Sequence, residues 1–329
     1  MNNLKRDPEG VARAVRAAES IAVCSHVNPD GDTIGCALAM RLGLKALGKR
    51  VSVFCHDKVP DNLMFLPGAA EIQSPDGCGE TFDLMLAVDV SDRERLASAK
   101  KLLQQCRHTA QIDHHPTNPQ YMEVNSVDGE APAASILVYE QLMTLGVPLT
   151  SEIAMCLYAG ISTDTGNFSF SSTNAETFMI MSELMKIGLP LSEMSRILFR
   201  ERSREQLLLL GRAISSMRFE GKDGQIAVMT LTRRDFDECG ARNEHADTIV
   251  NFGLETTGTR MAVLGREDDQ PGEIKFSLRA KSPQRIDDVA QRLGGGGHPQ
   301  ASGATLKGTL EETVPVVVAA MAGKMEEHR

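Results

Sequence analysis

Through the first half of the chain, short apolar runs alternate with helical patterns, and several of the runs end on Asp or His. Alternation of this kind marks a parallel α/β sheet, because each strand needs a crossover before the next can run in the same direction. Residues 21–25, 51–55, 84–88 and 109–112 read as strands, with a helix over 33–47 behind the first. Further helices are predicted at about 132–145 and 152–161. Thr173-Asn-Ala-Glu176 reads as a capping box opening a helix that runs to about residue 187.

The chemistry-bearing residues follow the strands. His26-Val-Asn-Pro-Asp30-Gly-Asp32 comes directly after the first strand, and the carboxyl ends of strands are where an open α/β sheet places its ligands. One imidazole and two carboxylates are donors suited to Mn²⁺ or Mg²⁺. Asp89 closes the run LMLAV, Asp113-His114-His115 closes the run TAQI, and Asp164 lies in GISTDTG. If the strands are adjacent and parallel, these residues meet at one edge. Asp30, Asp32, Asp89 and Asp164 would then repel one another unless two divalent cations balance them. Asp89, on what should be a central strand, is the candidate to bridge two ions about 4 Å apart.

The second half has another texture. Residues 191–221 read as a charged connecting helix, followed by strands at 225–231, 261–264 and 273–280 and a last helix at 311–327. Arg279, beside apolar Leu278, offers a guanidinium fork for a terminal phosphate. Gly294 to Gly297 read as a loop in which the backbone N–H groups of Gly295, Gly296 and Gly297, with the His298 side chain, approach an anion. The expected fold is therefore α/β, with a parallel-sheet domain over 1–190, a connecting helix over 191–221, a smaller α+β domain over 222–329, and an active-site cleft between the domains.

Composition excludes several classes. The net charge is −9, and acidic residues still outnumber basic ones beyond Gly224, so the chain is no grip for a long duplex. It has no Trp, and aromatics make up 4%, too few for an extended base-stacking platform. Seven cysteines without a CxxC pair fit reduced thiols in the cytoplasm rather than a disulfide frame. No run approaches the roughly 18 apolar residues of a membrane span, and the first residues lack a signal-peptide core. A cytoplasmic protein without membrane contact is expected.

In this order, HVNPDGD (26–32), VD (88–89), DHH (113–115), TDTG (163–166), SLRAK (277–281) and GGGGHPQASG (294–303) resemble the motifs of the DHH phosphoesterases and their associated C-terminal domain. The resemblance spans about 22–305 and is strongest to the family's nanoRNase and pAp-phosphatase branch. It implies two Mn²⁺ ions, with Mg²⁺ as the alternative. One would sit on His26, Asp30 and Asp89, the other on Asp32, Asp89, His114 and Asp164. It further implies that Asp113 fixes the tautomer of His114 and that His115 faces the scissile phosphate as donor or proton source.

Arg95 matches a recurring family arginine, and Arg279 and His298 fall where the family holds the far end of the substrate. APAASI (131–136) departs from the family where a Ser/Thr-rich pair is common, which puts its phosphate contacts in question, with Ser135 able to keep one of them. The implied activity is hydrolysis, by metal-activated water, of RNA or DNA oligonucleotides of roughly two to five nucleotides and of pAp-type 3′,5′-bisphosphates, short enough to need few backbone contacts. A homodimer is open to such a chain. Two alternatives stand: a phosphodiesterase for cyclic or linear dinucleotides (c-di-AMP, pApA, pGpG), and a non-catalytic nucleotide-binding regulator.

Overall fold

The computed structural model describes residues 4–327, without the side chains of His298, Glu326 and Glu327. It divides into two compact units, Met1–Glu201 and Arg202–Arg329.

In the first unit, β1 (Ser20–Cys24), β2 (Arg50–Phe54), β3 (Phe82–Val88), β4 (Cys106–Asp113) and β5 (Val124–Val127) form a parallel sheet in the order β2-β1-β3-β4-β5. Its helices are α1 (Pro8–Ala17), α2 (Gly31–Ala46), α3 (Leu102–Gln105), α4 (Ala134–Thr144), α5 (Ser151–Asp164), α6 (Ala175–Lys186) and α7 (Leu191–Phe199). Every residue of β1 is buried, which explains an unbroken apolar run in place of alternation. Ile21, Val23, Leu84, Leu86 and Val88 face one core, while Ala22, Cys24, Met85 and Ala87 face a second core on the other side.

Sequence order reverses between β1 and β3. That is the switch point at which loops diverge to opposite faces and leave a crevice at the strand ends. β5 had no sequence signal, because its four residues, VNSV, carry no apolar run.

Helix α2 approaches α5 closely because glycines stand at the contact. A Cβ on Gly35 would collide with the Cys156 carbonyl oxygen, and one on Gly160 with the side chains of Ser135 and Asp32. Overpacking of this kind typically costs about 1–3 kcal/mol. The helix at 175 opens one residue later than its predicted capping box. Asn174, not Thr173, is the N-cap, and its Oδ1 accepts from the Thr177 backbone N–H at 3.0 Å.

The second unit begins with α8 (Arg204–Ser215). Its sheet contains β6 (Arg218–Glu220), β7 (Ile226–Leu231), β8 (Met261–Glu267), β9 (Glu273–Ala280), β10 (Gly296–His298) and β11 (Ala301–Lys307), in the order β10-β11-β9-β8-β7-β6. The sheet is antiparallel except for the β7–β8 pair. Between and after the strands come α9 (Arg233–Cys239), α10 (Ile249–Glu255), α11 (Asp287–Arg292) and α12 (Leu310–Glu327). Along β9, Ile274, Phe276, Leu278 and Ala280 are buried while Lys275, Ser277 and Arg279 alternate on the opposite face.

Two expectations for the second half need correction. The single connecting helix over 191–221 is two helices, α7 and α8, broken at 200–203. Ser203 caps α8 through a reciprocal box with Gln206, a signal that was present in the sequence as S-x-x-Q. The four-glycine run is also not an open loop. Gly294 ends the turn after α11 at a φ of 79°, and Gly296–His298 pair antiparallel with β11. A Cβ on Gly295 would strike the Gly303 carbonyl, so that glycine serves hairpin packing.

Candidate metal centre

The strand ends supply the site's frame. His26 follows β1, Asp89 follows β3, Asp113 ends β4, and His114 and His115 come directly after it. Asp30 is the N-cap of α2, Asp32 lies in that helix's first turn, and Asp164 is the last residue of α5. Asp89 is held at a φ of 56°, in the left-handed region, with its N–H donating to the Ile112 carbonyl at 2.9 Å. Backbone strain of this kind persists where surrounding structure enforces it, and here it turns a carboxylate back over the strand ends.

Three groups of ligand atoms gather here: His26, Asp30 and Asp89; Asp32, His114 and Asp164; and Asp89, His114 and His115. Asp89 joins them. Its Oδ2 lies 3.4 Å from His26 Nε2, and its Oδ1 lies 3.5 Å from His114 Nε2 and 3.6 Å from His115 Nδ1. His114 Nε2 is 3.2 Å from Asp164 Oδ2, and His26 Nε2 is 3.7 Å from Asp30 Oδ2. Most of these spacings are long for hydrogen bonds.

The fit to cations rests on Asp89. It is 2% exposed, yet Oδ1 has no hydrogen-bond partner. A buried carboxylate oxygen facing two imidazoles without a donor is a costly arrangement for a protein alone and a sound one around a cation.

Electrostatics agree. Burial, reinforced by Asp164 and Asp89, pushes the Asp32 carboxyl well above the ordinary range, and burial likewise raises Asp89. Burial would lower the two candidate ligand imidazoles, but the surrounding carboxylates win. Asp30 and Asp89 raise His26 to about 10, and Asp164, Asp89 and Asp32 raise His114. Without a cation, such a cluster draws in protons to offset its negative charge.

The candidate ligands are oriented from behind. His26 Nδ1 lies 2.7 Å from the Val27 carbonyl and His114 Nδ1 lies 3.1 Å from the Ala131 carbonyl, so both rings can present Nε2 to the cluster. Asp113 does not touch His114, contrary to the expectation. It lies 2.9 Å from His115 Nδ1 and accepts from the His115 backbone N–H, an Asx turn that brings the second histidine, not the first, to this carboxylate. Burial opposes the Asp113 charge, but His115 and Asn118 outweigh it and hold the carboxyl below its ordinary value.

Asp32 is fully buried and takes the Ala134 N–H on Oδ2 at 2.5 Å. Its Oδ1 takes the Ser135 N–H at 2.9 Å and the Ser135 hydroxyl at 2.5 Å. The expected phosphate contact of Ser135 is thus replaced by a bond to a candidate ligand. The unpaired N–H groups at the start of α4 need acceptors, and a buried carboxylate needs donors. No pattern in a single sequence marks this role.

Arg95 lies within the same unit, with Nη2 3.0 Å from His26 Nδ1 and Nε buried without a partner. That imidazole nitrogen cannot both donate to Val27 and accept from Arg95. A cation on Nε2 selects the Nδ1–H tautomer, which leaves the Arg95 fork free for an anion. In the other unit, half-buried Arg279 donates to the Leu278 carbonyl at 3.0 Å; burial lowers its pKa, and Asp247 is the opposing charge. His298 lies in β10, and its side chain is outside the described residues.

Known proteins carry the same organisation. The DHH family N-terminal domain matches residues 20–161, and the DHHA1 domain matches 223–327. A Thermus thermophilus protein named bifunctional oligoribonuclease and PAP phosphatase NrnA is 33% identical over 300 residues, covering 91% of this chain and 88% of that protein. A Bacillus subtilis protein of the same name is 27% identical over 304 residues, with 89% and 91% covered. The crystal structure of an exopolyphosphatase-related protein from Bacteroides fragilis superposes with a TM-score of 0.89 at 27% identity, covering 98% of this chain and 96% of that one. The chain belongs to the DHH phosphoesterase family, with a DHH N-terminal domain followed by a DHHA1 domain.

Proposed function

We propose that this protein is a metal-dependent hydrolase of short oligonucleotides, roughly two to five nucleotides long, and of pAp-type 3′,5′-bisphosphates, consistent with an acidic chain that engages few phosphates. The observation that carries the reading is the Asp89 carboxylate, buried between two sets of ligand atoms with one oxygen unpaired. Relatives named for oligoribonuclease and PAP phosphatase activities support the substrate class.

In this reading His26, Asp30 and Asp89 hold one Mn²⁺, and Asp32, Asp89, His114 and Asp164 hold the other, with Mg²⁺ as the competing ion. When bound, two such cations supply Lewis-acid activation of water and of phosphoryl oxygens. His115, with Nδ1–H committed to Asp113, keeps Nε2 for the substrate side: as imidazolium it donates to a phosphate oxygen or to the leaving oxygen, and as the neutral ring it accepts a proton there. Arg95 offers its Nε and Nη2 to the same phosphate. Arg279 serves as a phosphate anchor on the DHHA1 domain, alongside the Gly295–Gly297 backbone and His298. No helix among the described residues is long and apolar enough to cross a membrane, and all seven cysteines are free.

The deciding experiment incubates purified protein with Mn²⁺ and 5′-labelled RNA and DNA ladders of graded length, pAp, pApA, pGpG and c-di-AMP. Turnover concentrated on the shortest oligonucleotides and pAp is expected. Preferential cleavage of c-di-AMP would move the protein to second-messenger turnover, and nucleotide binding without any hydrolysis would make it a regulator.

A further inference from the structure

His115 is set in place by buried amides that no catalytic role has yet absorbed. Asp113, fully buried, contacts the His115 ring through Oδ1, while its Oδ2 accepts from Asn118 Nδ2 at 2.6 Å. Asn118 is itself fully buried and pairs face to face with the equally buried Gln111. Asn118 Nδ2 donates to Gln111 Oε1 at 3.2 Å, and Gln111 Nε2 donates to Asn118 Oδ1 at 3.1 Å. Asn118 Oδ1 also accepts from the Gln120 backbone N–H at 2.6 Å, and Nδ2 reaches the Val90 carbonyl at 3.4 Å. Gln111 Nε2 continues to Asn125 Oδ1 at 2.6 Å, and the Asn125 side chain both accepts from and donates to the Met122 backbone.

This network fixes one orientation. An amide whose donors and acceptor are all engaged cannot flip without leaving buried groups unpaired. Asn118 therefore holds Asp113 Oδ2, and a carboxylate pinned at one oxygen aims the other at His115 Nδ1. We propose that Asn118 is a positioning residue for the hydrolytic step: through Asp113 it sets the ring plane and the Nδ1–H tautomer of His115. The hydrogen bonds of Asn118 reach none of the candidate metal ligands. The inference rests on the phosphoesterase reading for its kinetic arm and on the side-chain network alone for its spectroscopic arm.

Asn118→Asp keeps the shape but turns a donor into a second carboxylate against Asp113. Measured on pAp, it should lower kcat about 10- to 100-fold, the usual cost of losing an orienting partner. KM and calorimetric Mn²⁺ affinity should stay within about twofold. In a His115→Ala background the same change should cost less than about twofold, because its effect runs through the missing ring. An equal drop in both backgrounds, a matching loss of Mn²⁺ affinity, or an unchanged kcat overturns the proposal.

If Asn118→Asp fails to fold, Gln111→Met removes the amide that fixes Asn118 at similar volume. It should shift kcat in the same direction by a smaller factor, and an unchanged kcat there counts against the role. Ring-nitrogen NMR of the wild-type protein should show His115 as the Nδ1–H tautomer, and either variant should give a mixture. A single unchanged tautomer in both variants refutes the positioning role. That measurement decides it even if the wild-type protein does not hydrolyse pAp, a result that would sink the activity reading instead.

Discussion

The two sides of the candidate metal centre are built to different standards of rigidity. Around His26, the Asp30 side chain is 54% exposed, and one of its oxygens caps α2 while the other faces the imidazole. Around His114, Asp32 is 0% exposed, with both oxygens locked to the start of α4. The difference teaches that the buried side is preorganised and the exposed side adjustable. Both carboxylates accept backbone N–H groups, but Asp32 does so through both oxygens, whereas Asp30 leaves Oδ2 at a solvent edge, where it can shift to admit a substrate.

Removing the residue common to both sides is the largest test. Asp89→Asn should lower kcat/KM on pAp roughly a thousandfold or more, since in the proposed two-cation site both ions lose a ligand. Bound Mn measured by elemental analysis should fall for both ions. Because Asp89 is a buried acid held above its ordinary pKa, the metal-free variant should melt no lower than the metal-free parent. Full activity in this variant would dissolve the comparison altogether.

Next, Gly160→Ala pushes a methyl into Ser135 and Asp32, and Ser135→Ala removes the hydroxyl bond to Asp32. Both should weaken one Mn²⁺ equivalent about 10- to 100-fold by calorimetry and leave the other near its parent value. Equal weakening of both equivalents would show that the two sides are not separately built.

Proton competition gives a third, smaller effect. The raised His26 holds a proton up to about pH 10 when no cation is bound, so loading must expel it. Mn²⁺ affinity should therefore rise with pH, by up to about tenfold per unit for each proton displaced. The sign for stability is opposite. In the metal-free protein the contribution of charged His26 is complete below its ordinary 6.5 and is lost as pH climbs through about 10. Melting curves of metal-free and loaded protein across that window, with buffers of different ionisation heat in the calorimeter, check both.

Smallest of all, Arg279→Ala should raise KM about tenfold with little change in kcat and none in either Mn²⁺ equivalent. A changed metal stoichiometry would remove it from the role of a phosphate anchor.

Much of this was legible before the fold was known. The runs before His26, Asp89 and Asp113 became β1, β3 and β4: β1 and most of β3 are buried and therefore apolar, while β4 was readable only in its buried last residues, where Gln111 interrupts the apolar run. β5 was not legible, since VNSV owes its strand state to its neighbour β4 rather than to its own side chains. Nor was the break at 200–203, where helical periodicity on both sides hid a capping box.

Local order along the chain thus determined which residues stand at the sheet's edge and which donors they bring. Only tertiary packing decided what each one touches. Asp113 serves His115 instead of His114, Ser135 serves Asp32 instead of a phosphate, Asn118 closes an amide network, and the glycines at 295 and 297 accommodate a hairpin. Periodicity reports the face on which a side chain lies. Hydrogen bonds between residues as far apart as Asp32 and Ser135 depend on how helices dock, and that is fixed by volumes and unpaired backbone groups that no short motif records.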